Sequence, residues 1–260
     1  MLLRKKVNSL IVTSIVIMGL SCTTIVNADN SLEKIEDSST SLQQIETRST
    51  IHTGTFTKSL NGTMYTAQAY VLTKPSTGQA AAKATMTAPG PKPAKHMGFS
   101  TSLFGTNYAL ITSTPITYNT ANTSAITVST RYADGYSTFT TSCEMRVKNS
   151  NGTYTSWSSR QSKWVSPFSR DIDIDSNSEN VFENYQDILR TIDISSEQRR
   201  ERQKMYSEKG MILAKANNGK EGYVYEDEVR KDSSEERTIN VYNKDGKVIG
   251  DFTIAFGEEE

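Results

Sequence analysis

Cysteine and histidine are scarce, two of each in 260 residues. That scarcity excludes a disulfide-dense extracellular scaffold and leaves little for an imidazole-rich metal centre or a histidine relay. Net charge is missing too. Twenty-nine basic side chains balance 29 acidic ones, which disfavours a uniformly basic nucleic-acid binder. The short motifs G-x-S-x-G, H-E-x-x-H, paired C-x-x-C and G-x-x-x-x-G-K-[ST] do not occur, so no catalytic residue, metal ligand or cofactor is expected. Cys143 and His96 make a poor thiol and base, because the strand pattern around Cys143 turns its sulfur inward, whereas nucleophilic cysteines sit in partly exposed, electropositive settings.

What is present begins with an address. Arg4, Lys5 and Lys6 precede an apolar run over about residues 7–20, the charge order and length of a secretory signal peptide. Val26, Asn27 and Ala28 put small or short side chains where a signal peptidase reads, so the expected leader is 1–28, cut before Asp29. A membrane anchor is the poorer reading because Asn8, Ser9, Thr13 and Ser14 dilute the apolar length. Lipidation at Cys22 is poorer because Gly19 stands where an aliphatic residue is wanted. The chain is therefore expected to be secreted or at the cell surface, with no membrane span after cleavage. Removing the leader leaves Cys143 alone.

Charge then divides the mature chain. Residues 29–50 are polar and read as a linker or pro-segment. Residues 51–165 carry ten Lys and Arg against two acids, Asp134 and Glu144, whereas 166–260 carry 14 against 22. Neutrality is thus a surplus of eight positive charges followed by an excess of eight negative ones. A boundary between a basic β module and an acidic α+β domain is expected near Ser166 and Pro167.

The basic region has hairpin chemistry. Asn61-Gly62, Asp134-Gly135 and Asn151-Gly152 tolerate positive φ and lie between β-branched and aromatic runs. Strands are expected near 53–60, 63–73, 79–87, 97–104, 107–113, 124–133, 136–149 and 153–159, a spacing that suggests an antiparallel β-sandwich-like module. The prolines at 89, 91 and 93 cannot donate to a ladder and predict a loop or edge crossing. Period-two alternation of Phe139, Thr141, Cys143, Met145 and Val147 predicts a half-buried strand with the thiol in the core. Lys92, Lys95, Arg160 and Lys163, if they gather near Tyr154, Trp157 and Trp164, form the candidate ligand surface, since indole faces suit sugars or cations and Lys and Arg suit anions; the competing and stronger expectation is that the Tyr and Trp pack in the core or at sheet edges.

The acidic region is different in kind. Val181, Phe182, Tyr185, Ile188, Leu189 and Ile192 recur at helical spacing after Ser178. Ser195 and Gln198 fit a capping box for a charged helix ending at Gly210, solvated unless something packs on it. Residues 211–216, 222–225, 237–242 and 247–256 read as strands, with turns at Asn218-Gly219 and Asp245-Gly246. A calcium loop over Asp171, Asp173, Asp175, Asn177 and Glu179 fails at Ser176, where Gly is needed, and at Phe182, where a bidentate Glu is needed.

Residues 219–229 (GKEGYVYEDEV) and 237–254 (RTINVYNKDGKVIGDFTI) resemble C-terminal segments of uncharacterised secreted Gram-positive bacterial proteins. The first stretch also looks like the closing hairpin of bacterial SH3-like modules, a likeness that implies contact with cell-wall peptide. The chain departs from those modules, since no preceding SH3-type strands are evident and two helices intervene, and no residue role carries over.

The expected function is a non-catalytic, β-rich binding module for an anionic envelope component, such as a cell-wall polymer, or for another envelope protein. The alternative is a membrane-active β-structured toxin, motivated by the alternating Ser/Thr-rich stretch 124–132. A cell-wall hydrolase is the third reading and lacks candidate catalytic residues.

Overall fold

Asn61 and Gly62 both adopt positive φ, 50° and 74°, the mirror-image turn that matches strand twist. They join β1 (Ser49–Leu60) to β2 (Thr63–Lys74). The computed structural model describes residues 49–160, 164–168 and 185–257. The expected leader with Cys22, the linker to 48, Lys163 and the Asp171 to Glu179 run lie outside the described residues, as do Ser178, Val181 and Phe182.

The chain continues as β3 (Gln79–Lys92), β4 (Met97–Gly105), β5 (Leu110–Ser113), β6 (Thr117–Tyr118), β7 (Thr123–Ser129), β8 (Phe139–Lys148) and β9 (Tyr154–Arg160). Strands β1, β2, β3 and β7 form one antiparallel sheet in that order. Strand β3 runs on to Lys92 instead of ending before the prolines. Its pairing with β7 breaks register between Thr87 and Lys92, which is where Pro89 and Pro91 escape the need to donate.

A second sheet takes β9, β8, β4 and β5 and packs its inner face on the first. Alternate residues of β2 (Tyr65, Ala67, Ala69, Val71) are buried with Met86, Ile126 and Val128, against Phe99, Leu103, Phe139, Cys143, Met145 and Val147. Each large side chain removed from water here contributes about 1.5–3 kcal/mol. Alanines at 80, 81, 82 and 84 keep β3 thin. Cys143 is a buried free thiol, and burial followed by the Glu144 charge pushes its pKa far up.

After α1 (Tyr185–Thr191) and α2 (Ser196–Lys209) come β10 (Met211–Lys215), β11 (Glu221–Tyr225), α3 (Glu226–Val229), β12 (Arg237–Tyr242) and β13 (Val248–Ile254). The capping box of α2 forms: Ser195 Oγ accepts from the Gln198 amide at 3.2 Å, and the Gln198 side chain accepts from the Ser195 amide at 3.0 Å. Gly210 closes it at φ 65°. The helix is not solvated on every side, for Met205 packs with Met211, Leu213 and Tyr223 and the Arg202 guanidinium donates to the Asn107 carbonyl.

Strand β5 is the junction. One edge pairs antiparallel with β4; the other meets β10 at Leu110 and β13 at Ser113, both in parallel. Pairings through β10, β11, β12, β13 and β5 therefore run full circle, around a core of Leu110, Ile212, Val224, Val241, Phe252 and Ile254 to which α1 adds Ile188 and Leu189. Described residues on both sides of the charge boundary near 166 share this sheet.

Candidate functional site

The outer face of β4, β8 and β9 carries Ser100, Ser142, Glu144, Arg146, Ser158 and Tyr154, by strand alternation and register. Sequence alternation predicts solvent there. Instead Ser142 and Glu144 are each only 9% exposed, because the stretch from α3 to Asp232 lies across them. The Arg230 guanidinium donates to Ser158 Oγ and meets the Glu226 carboxylate, both at 2.8 Å. Arg146 donates to Glu144 at 2.7 Å and to the Arg230 carbonyl at 2.6 Å. Burial opposes charge on Arg146, but Glu144 and Tyr118 outweigh it and raise the pKa. A crevice of about 30 Å³ remains beneath α3 among Ser100, Ser102, Ser113, Ser142 and Ser158, room for about two waters.

Beyond this seam opens a groove of about 620 Å³, lined by Ala94, Lys95, Thr117, Tyr118, Asn119, Thr120, Tyr154, Asp232, Ser234 and Phe256. Strand β6 places Tyr118 opposite Gly98. A Cβ on Gly98 would come within 2.6 Å of the Tyr118 ring, so glycine lets that ring lie down on the sheet. Asn119 is buried and holds the neighbouring loop. Its Oδ1 accepts from the His96 and Met97 amides at 3.0 and 2.9 Å, and its Nδ2 donates to the carbonyls of Lys92, Pro93 and Ala121. That clamp supports Lys95 at φ 58°.

Tyr118 and Tyr154 stand with ring centroids 5.1 Å apart and planes at 55°, a corner instead of a stack. Their hydroxyls are both committed: Tyr118 donates to Asp232 Oδ1 at 2.8 Å, Tyr154 to the Lys95 carbonyl at 2.6 Å. Burial first, then the Asp232 acceptor, pushes the Tyr118 pKa up to about 12, and burial followed by Asp232 raises that of Tyr154. Both are therefore neutral phenols at physiological pH, offering ring surface and not protons. Phe256 completes the wall. Its amide donates to Glu236 at 3.1 Å, its carbonyl accepts from Arg131 at 3.3 Å, and Gly257 donates to the Ser129 carbonyl of β7 at 2.7 Å.

Of the ligand surface expected from sequence, the structure brings Lys95 and Tyr154 together here. Lys92 directs its ammonium to the Tyr65 ring, 5.7 Å from the centroid. Trp157 faces inward opposite Met145 and packs on the sandwich core. Trp164 packs on the other core, edge-on to Tyr108 at 5.9 Å. Arg160 pairs through its backbone with Ser142, and Lys163 lies outside the described residues. Sequence reasoning missed Tyr118, Asn119, Asp232 and Phe256. Only the Tyr118-Asn119 pair, polar and aromatic just after Pro115, carries a local signal.

Lys148 stands directly opposite Tyr154 in the β8–β9 register; burial, then Lys92 and Lys148, lowers the pKa of His96. The His96 ring Nε2 lies 2.9 Å from the Tyr65 hydroxyl. Among the described residues no three His, Cys, Asp or Glu side chains gather as a metal site, and no helix is long and apolar enough to cross a membrane. A comparison of the chain with known protein families, curated proteins and solved structures finds no match.

Proposed function

We propose that the chain is an exported, envelope-facing binding protein that holds an anionic envelope component in the Tyr118, Tyr154 and Phe256 groove without making or breaking covalent bonds. The observation that carries this reading is the groove itself, apolar on its walls, with Lys95 in its lining and Lys148 beside Tyr154. Ring faces supply contact area at low entropic cost, and lysines supply attraction to anions. The tyrosine hydroxyls are already bonded within the protein, which favours a holding role over proton transfer. The leader supports export, and the basic surplus of 51–165 suits a negatively charged partner.

Cosedimentation of the purified chain with anionic wall polymer across a salt series tests this. Retention at low salt that weakens as salt rises is expected, because exposed charge attraction is screened. Lys95→Glu and Tyr154→Leu should each reduce it. No retention at low salt removes the reading.

A further inference from the structure

The groove is not uniformly suited to anions. Its lining holds Lys95, and Lys148 lies across the strand pair from Tyr154. The same lining holds the Asp232 carboxylate, bonded to the Tyr118 hydroxyl, and Phe256, beside the two tilted tyrosine rings. Three aromatic residues and a carboxylate around one volume have the composition of a site for an alkylated ammonium, whose positive charge is drawn to ring faces and whose methyl groups gain from leaving water. Tyr118 at 2.8 Å and Arg146 at 3.7 Å both meet Asp232 at Oδ1, and Asp232 remains more than half exposed.

Resting on the proposed function, we infer that the ligand group is zwitterionic, an alkylammonium phosphate ester. Its ammonium lies in the corner of Tyr118, Tyr154 and Asp232, and its phosphate lies toward Lys95. An all-anionic group gains nothing from the Asp232 carboxylate, and a simple cation leaves the lysines unused. A zwitterion draws on both charges.

The probes are phosphocholine, choline and inorganic phosphate, titrated against the purified chain with the ring signals of Tyr118 and Tyr154 as readout. Phosphocholine is expected to bind about tenfold more tightly than phosphate, with choline alone still shifting both rings. Asp232→Asn and Tyr154→Leu should each cost about tenfold in phosphocholine affinity. Tyr154→Phe, which keeps the ring, should retain most of the affinity. Equal affinity for phosphate and phosphocholine, or rings unmoved by choline, overturns the inference. Vesicles of phosphatidylcholine and a soluble phosphocholine-substituted polymer separate a lipid headgroup from a polymer substituent. Binding to either supports the chemistry, and binding to neither overturns it. If anionic polymer is retained while choline fails, the proposed function stands and this inference falls; choline binding without polymer retention does the reverse.

Discussion

The Tyr118 hydroxyl donates to the Asp232 carboxylate at 2.8 Å across 114 positions of sequence, and so ties the basic half of the chain to the acidic half at the mouth of the groove. The bond joins a strand laid on the sandwich to the stretch that covers the sandwich's polar face. Tyr118→Phe removes the donor and keeps the ring. Asp232 is more than half exposed, so solvent takes up part of the loss, and a destabilisation of about 1 kcal/mol is expected. Urea unfolding should show a lower midpoint at unchanged slope; an unmoved midpoint would show the bond to be idle.

Asn119 matters more to the groove's shape. Its side chain accepts two amides and donates to three carbonyls while 4% exposed. Asn119→Ala strands several buried backbone groups, each costing about 1–3 kcal/mol. A loss above about 3 kcal/mol is expected, together with new protease cleavage between 92 and 97. Wild-type resistance in that loop would contradict the clamp.

Much of this fold is legible in the sequence because turns and periodicity are local. Asn61-Gly62 announces a hairpin, Ser195 with Gln198 announces a helix start, and alternation around Cys143 aims the thiol correctly. What escapes is how distant pieces meet. Nothing near Ser142 or Glu144 says that residues 226–232 will cover them, since an alternating strand looks the same whether its polar face meets water or a polar seam. The ring closed on β5 rests on single bridges at Leu110 and Ser113, far too little pattern to read in advance. The groove suffers most: Lys95 and Tyr154 were visible, but Asp232 and Phe256 arrive from the acidic end of the chain. The two tryptophans, attractive as ligand platforms, are drawn to the cores by the area they bury.

Cys143 should behave as a core atom. Burial and Glu144 raise its pKa far above the ordinary thiol range, so the folded chain keeps the neutral form while the unfolded chain ionises near pH 8.5. The associated stability is full below that range and declines as pH rises through it. Iodoacetamide labelling at neutral pH should therefore track global unfolding in urea. Rapid labelling of the native chain would refute the buried assignment.

His96 acts in the opposite direction. Burial, then Lys92 and Lys148, lowers its pKa, so protons bind the unfolded chain more readily. Stability attributable to His96 is present above about pH 6.5 and is lost as pH falls toward and through the depressed folded value. Replacing His96 with Gln should flatten the stability profile as pH falls below about 6.5. A wild-type profile that already lacks this slope would remove His96 from the account.

Gly257 sets the far wall of the groove. A Cβ there would meet the Thr130 carbonyl oxygen at 2.4 Å and its carbon at 2.9 Å. Those are backbone atoms that cannot swing aside, so Gly257→Ala has to push the chain away from β7. The amide bond from Gly257 to Ser129 is then lost, and Phe256, one residue earlier, moves with it. A destabilisation of about 1–3 kcal/mol follows from overpacking of this kind. Ligand retention should drop alongside it, because the aromatic wall shifts while Tyr118 and Tyr154 stay in place. Phe256→Ala separates the two effects: it should weaken retention with a smaller change in the urea midpoint, since the backbone bonds to Glu236, Arg131 and Ser129 can persist. Full retention in both variants would place the ligand elsewhere on the protein.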